Sequence, residues 1–151
     1  ITATLQSIMT STLDDIVETF DFLDDWEDRY KYVIDLGKEL PPLPDAEKND
    51  LNKVRGCVSQ VWLVTDISRS TDGQPVITYR GDSDALIVQG LVAIVLALYS
   101  GKTAKDILET DVSGLFGKLG LQEHLTPQRS NGLKSMVARI RADAENALAA
   151  A

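Results

Sequence analysis

Apolar positions change their period twice along this chain. From Thr12 onward, Leu13, Ile16, Val17 and Phe20 recur at helical spacing, with acids in the first turn where the helix dipole favours them. Asp24 or Asp25 then caps a second helix, with Trp26, Tyr30, Val33, Ile34 and Leu40 near one face and Pro41, Pro42 and Pro44 ending it. After a polar loop over residues 45–53, Gln60 to Ile67 is rich in β-branched and aromatic residues. Thr71-Asp72-Gly73 is a turn signal, and Pro75 to Arg80 reads as the returning strand of an antiparallel hairpin. Ala85 to Tyr99 is apolar nearly all round. It is shorter than the roughly 20 residues a membrane span needs, so the expectation is a central helix buried on the sheet. Asp82 or Ser83 is expected to cap it, and Gly90 to let a neighbour approach closely. Thr103 caps a short helix to about Leu108, and residues 112–121 are apolar with glycine punctuation. Thr126-Pro127 supplies an N-cap and a first-turn proline to a last helix carrying Leu133, Met136, Val137 and Ile140 into an alanine-rich tail.

These elements predict an α+β fold: a small antiparallel sheet of about three strands covered by helices. A third strand would have to come from the Leu51 to Gly56 region, or be absent. The 151 residues suit one domain, with residues 1–23 and 142–151 at its periphery.

Charge narrows the partners. The net charge is -8 and no basic run occurs, which argues against nucleic acid. Acids crowd the start: Asp14, Asp15, Glu18, Asp21, Asp24, Asp25, Glu27 and Asp28, with no Lys or Arg among residues 1–28. A solvated helix face with capping charges accounts for them more simply than a surface built for a basic partner. A single cysteine excludes an internal disulfide and suggests a reducing compartment. With no basic, apolar leader at the start, the expected location is cytoplasmic.

That cysteine is the main chemical candidate. Cys57 lies in Val54-Arg55-Gly56-Cys57-Val58-Ser59-Gln60-Val61-Trp62, where a polar turn meets a strand. Composition alone favours a buried, inert thiol. Gly56, which weakens a strand and marks a bend or close approach, and the polar Arg55 and Ser59 argue against a deep core position. An ordinary thiol is only ~3% ionised at pH 7; Arg55, two residues away, is the near cation besides Lys53. The lone His124 reads more simply as a capping or packing residue than as the base of a Cys–His pair, and four-ligand zinc chemistry lacks its ligands. Gly101-Lys102-Thr103 is not a P-loop, because Leu96 stands where the motif needs glycine. Asp82 and Asp84 read as helix caps before they read as paired catalytic carboxylates.

Taken together, several motifs are similar to those of the SufE family. They are the Val54–Trp62 segment, Gly81-Asp82-Ser83-Asp84-Ala85 before the apolar helix, and His124-Leu125-Thr126-Pro127-Gln128-Arg129-Ser130-Asn131-Gly132-Leu133. Trp26-Glu27-Asp28-Arg29-Tyr30 belongs with them, followed by Ile34, Leu36, Gly37 and Leu40-Pro41. The resemblance runs from about Trp26 to Ile140. It implies a fold like that of the IscU scaffold proteins with the cysteine on a loop. It also implies a sulfur acceptor in iron–sulfur cluster assembly, serving a PLP-dependent, SufS-type cysteine desulfurase and passing sulfur to a SufBCD-type scaffold. By motif position Cys57 is the acceptor, with Arg55, Gly56, Ser59 and Gln60 supporting its loop. Asp84, His124 and Arg129 then fall at partner-binding positions. No cofactor or metal of its own is expected, nor any membrane or nucleic-acid partner; the acceptor would be a monomer or homodimer without independent turnover. Val58 departs from the polar residue that many relatives carry, which bears on the polarity of the loop. Two rival classes remain at this point: a helical adaptor that regulates a desulfurase with Cys57 incidental, and a Cys57–His124 hydrolase.

Overall fold

The computed structural model describes residues 12–150. Helix α1 is Leu13–Phe22 and α2 is Trp26–Lys38, followed by a 3-10 turn at Asp45–Glu47. The hairpin is β1, Val61–Arg69, and β2, Pro75–Ser83. Then come α3 (Leu86–Tyr99), β3 (Lys102–Thr103), α4 (Ala104–Glu109), α5 (Val112–Leu119), α6 (Leu121–His124) and α7 (Pro127–Ala150). The sheet is antiparallel throughout, in the order β1-β2-β3. This is the α+β class that the patterning predicts.

Local chemistry sets most boundaries. Thr12 and Asp15 form a reciprocal capping box at the start of α1, and Asp25 accepts the Glu27 N–H at the start of α2. Thr103 caps α4 by accepting the Asp106 N–H. Thr126 does the same for α7, accepting the Arg129 N–H at 3.3 Å. The early acids are all exposed on α1, on α2 and between them, as a solvated face with caps requires.

Three expectations fail. The third strand is not Leu51–Gly56 but Lys102–Thr103, which pairs with Ile77 and Val76 of β2. The Leu51–Gly56 segment makes one bridge only, Lys53 with Trp62. Nor do Asp82 and Ser83 cap α3: β2 runs on through both, pairing them with Trp62 and Val61. The N-cap position is Ala85, which offers no side-chain bond. Finally, the segments set at the periphery contribute to the core. Ile16 and Phe20 of α1 are buried, as are Ala144 and Ala147 in the alanine-rich end of α7. Residues 1–11 lie outside the described residues.

α3 is the hub. Ten of its residues, from Ile87 to Tyr99, are buried, and it lies between α2 and the sheet. No helix among the described residues is long and apolar enough to cross a membrane. Close approach of α2 to α3 rests on two glycines. A Cβ on Gly90 would fall inside the contact shell of the Val33 carbonyl oxygen, and one on Gly37 would lie 2.7 Å from the Gly90 nitrogen. α2 is therefore fixed to the central helix, backbone against backbone.

Gly90→Ala should lower stability by about 2–3 kcal/mol, since overpacking a backbone contact outweighs the gain in helix propensity. Gly117→Ala, on an open face of α5 with nothing within 4 Å, should instead raise it by about 0.5–1 kcal/mol. Urea midpoints of the two variants measure both; equal shifts would refute the packing argument.

Candidate functional site

Cys57 sits on a loop closed at both ends. At its base, the Val54 N–H donates to the Val61 carbonyl at 2.8 Å, and the Leu63 N–H to the Asn52 carbonyl at 2.8 Å. At its exit, Gln60 is clasped from four directions. Its N–H donates to Asp84 Oδ1 at 3.0 Å and its Nε2 to Asp84 Oδ2 at 3.5 Å. Its carbonyl accepts from Ser83 Oγ at 2.7 Å and from the Asp84 N–H at 3.2 Å. Only residues 55–59 are left outside these clamps.

Within that stretch the backbone turns at Gly56, whose φ of +89° is in the left-handed region open to glycine. A Cβ there would also lie 2.6 Å from Ser135 Oγ, so the loop rests directly on α7. The Cys57 thiol points the same way, donating to the Gly132 carbonyl of α7 at 3.6 Å. It is half-buried, and burial pushes its pKa up. The side chain opens onto a cavity of about 220 Å³ between the loop, α3 and the start of α7. Val88, Leu91, Leu133 and Met136 form its apolar side; Ser59, Thr126, Gln128 and Arg129 form the polar side.

The residues singled out in the sequence separate into groups. Gly56 makes the turn of the Cys57 loop, Gln60 is its clasped exit, and Ser59 lines the cavity. Arg55 is exposed and does not line the cavity. Asp84 is the exit clasp, not a helix cap. Asp82 turns elsewhere, to Gln89 Nε2 at 2.7 Å and Lys48 Nζ at 3.4 Å, so the two carboxylates form no pair. Arg129 lines the cavity and places its guanidinium 5.8 Å from the centre of the Tyr30 ring. His124 stacks on Trp26, ring centres 4.2 Å apart and 15° from parallel, and does not line the cavity. The structure therefore gives no support to a Cys57–His124 pair, and His124 takes the packing role.

Sequence reasoning missed Ser83, Gly132 and Ser135. A serine at the end of a strand carries no local signal of a clasp. Gly132 does carry one: a glycine inside a helix costs about 1 kcal/mol relative to alanine, which is reason to look for a neighbour lying against it. Val58 is 75% exposed, an apolar side chain at the loop's outer surface beside the thiol.

The arrangement offers one thiol, a cavity beside it and a short segment outside the hydrogen-bonded clamps. Among the described residues, no group of three His, Cys, Asp or Glu side chains could hold a metal.

The model of the SufE family, described as an Fe-S metabolism associated domain, matches residues 14–144. A SufE-like protein of Rhizobium meliloti is 56% identical over 142 residues, covering 94% of this chain and all of that one. A SufE-like protein of Rhizobium etli is 55% identical over 140 residues, covering 93% of this chain and 94% of its own. The solution structure of a protein from Thermus thermophilus shares the fold, with a TM-score of 0.69, 23% identity and coverage of 91% of this chain and 96% of that one. With its thiol loop laid on α7 and its family motifs in order, the chain belongs to the SufE family, and with it to Fe-S metabolism.

Proposed function

We propose that this protein is a sulfur acceptor that takes the outer persulfide sulfur of a PLP-dependent, SufS-type cysteine desulfurase onto Cys57. It then passes that sulfur to a SufBCD-type scaffold. The observation that carries the reading is the placement of the chain's one cysteine: a half-buried thiol on a clamped loop, beside a cavity and without a second reactive group.

The step needs nothing more. The Cys57 thiolate attacks the outer sulfur of the partner's persulfide. A new S–S bond forms on Cys57, the old S–S bond breaks, and its electron pair leaves on the partner's cysteine as a thiolate. Atoms and charge balance without metal, oxidant or general acid. Access is the limiting demand. The thiol faces Gly132 in this structure, so the 55–59 segment must lift from α7 to meet the partner, turning about the Val54–Val61 base and the Gln60–Asp84 clasp. Between encounters the cavity shelters the outer sulfur from reductants. Asp84 is exposed and can meet a partner while it holds Gln60. Val58 offers an apolar contact next to the reacting atom. Location in the cytoplasm fits a thiol that must stay reduced between cycles.

Incubation with a cognate desulfurase and L-cysteine should add one sulfur atom to the intact mass of the wild type and none to Cys57→Ser. Equal gains on both, or none on either, would overturn the proposal. Full stimulation of the desulfurase by Cys57→Ser would point instead to an adaptor.

Burial also sets a pH signature. Because the folded chain holds the thiol neutral to higher pH than the unfolded chain does, this group's contribution to stability is complete below the unfolded thiol pKa. It is lost as pH rises through the folded one. Iodoacetamide alkylation of the native protein should accordingly have its pH midpoint above the ordinary thiol value of about 8.5, and denaturing urea should bring it back there. A native midpoint at or below that of the unfolded chain would contradict the sheltered thiol.

A further inference from the structure

The wall of the Cys57 cavity is built partly from the corner between α6 and α7. Thr126, Gln128 and Arg129 line it, and all three belong to the cap and first turn of α7. First turns are the weakest part of a helix, because their N–H groups lack intrahelical partners. Here the cap itself supplies one bond, Arg129 N–H to Thr126 Oγ1. What else holds this corner down comes from a different helix. Trp26 and Tyr30 stand one turn apart on α2, on the same face. Trp26 stacks on His124, the last residue of α6, and Tyr30 carries the Arg129 guanidinium. The two contacts bracket the corner, one before the cap and one after it.

α2 is suited to this work because it cannot easily shift. Its backbone meets α3 at Val33 and Gly37, against Gly90. Trp26 is further set edge-on to Phe20, with ring centres 6.4 Å apart. The rings therefore act as fixed pegs, and the corner is the part that can give.

We propose that Trp26 and Tyr30 are positioning residues that hold the α6–α7 corner closed over the Cys57 thiol and so set how often that thiol is uncovered. The residues that touch the thiol and its cavity are on the loop, α3 and α7; the two rings act through His124 and Arg129. A partner that engages this edge of α2 would release the corner and expose the thiol together. That last step rests on the sulfur-acceptor reading, but the positioning role does not.

The test uses the full chain and no desulfurase. Cys57 is the one cysteine, so iodoacetamide reports on it alone. Contacts made only in the closed state protect against local opening by their own free energy. Removing one ring should therefore speed alkylation at fixed pH by about two- to tenfold, the factor that contacts of this kind supply. Trp26→Leu and Tyr30→Leu are expected to show it, and both together more. Tyr30→Phe keeps the ring face and should return the wild-type rate; Trp26→Phe should restore most of it. Ile107→Val, a buried substitution in α4 outside the cavity, lowers global stability and should leave the rate unchanged. Leucine variants that react no faster than wild type, or an Ile107→Val rate that rises with theirs, would overturn the proposal. Because sulfur transfer is measured separately by mass, failure here would leave that reading standing.

Discussion

A loop can lie flat on a helix only where its backbone has room, and residue 56 supplies that room. Its positive φ is a conformation that side-chain-bearing residues rarely take, and its bare Cα faces Ser135. The turn made there carries the Cys57 thiol onto the Gly132 carbonyl. Were the turn made elsewhere, the thiol would stand in solvent, ionise at its ordinary pKa and meet every passing oxidant. The burial that raises the thiol pKa goes with that contact between loop and helix.

The same contact poses a conflict that the clamps resolve. On the sulfur-acceptor proposal the thiol must be neutral and covered to survive, but ionised and exposed to attack sulfur. A long flexible loop would expose it at random. Here the Val54–Val61 backbone bond, beside the Lys53–Trp62 bridge, and the Asp84 and Ser83 bonds to Gln60 leave five residues, 55–59, outside the clamps. Both clamps hold backbone groups: one ties residues 52–54 to the start of β1, the other ties Gln60 to the end of β2, and the hairpin beyond them has its register set along nine residue pairs. On the sulfur-acceptor proposal, those five residues open while the sheet keeps its register.

Much of this was legible in the sequence, and the part that was not has a physical reason. Helical periodicity marked α1 and α2, which their own spacing identifies, and a nearly unbroken apolar run marked the buried α3. Thr12, Asp25, Thr103 and Thr126 announced their caps locally. The Cys57 segment was found as a motif, and Gly56 was read as a bend or close approach from its cost to a strand. β3 was missed because a two-residue strand has no period; it exists only because β2 has an open edge at Val76 and Ile77. Asp82 and Asp84 precede a helix and so look like caps, yet β2 runs on through Asp82, and Asp84, just past its end, is committed to Gln60. His124 and Arg129 were recognisable as a motif, but Trp26 and Tyr30, their partners about a hundred residues earlier, share no local signal with them.

α7 links these features mechanically. At its far end Asp143 Oδ2 accepts from Tyr79 Oη at 2.9 Å and from Thr65 Oγ1 at 3.2 Å, with Arg139 Nε 3.3 Å away. Burial and the Asp143 charge push the Tyr79 pKa far above its usual value, so that phenol stays a donor. The helix is thereby bolted to the middle of the sheet. Arg129, 14 residues earlier, is about 21 Å away along the axis at 1.5 Å per residue. Between these points lie Gly132 and Ser135, the resting place of the Cys57 loop. α7 is held toward one end by a charged network and at the other by the Arg129–Tyr30 contact, with the resting place of the thiol between them. On the positioning proposal the corner is the part that yields to a partner, because ring contacts at an accessible edge give way before a hydrogen-bonded carboxylate does.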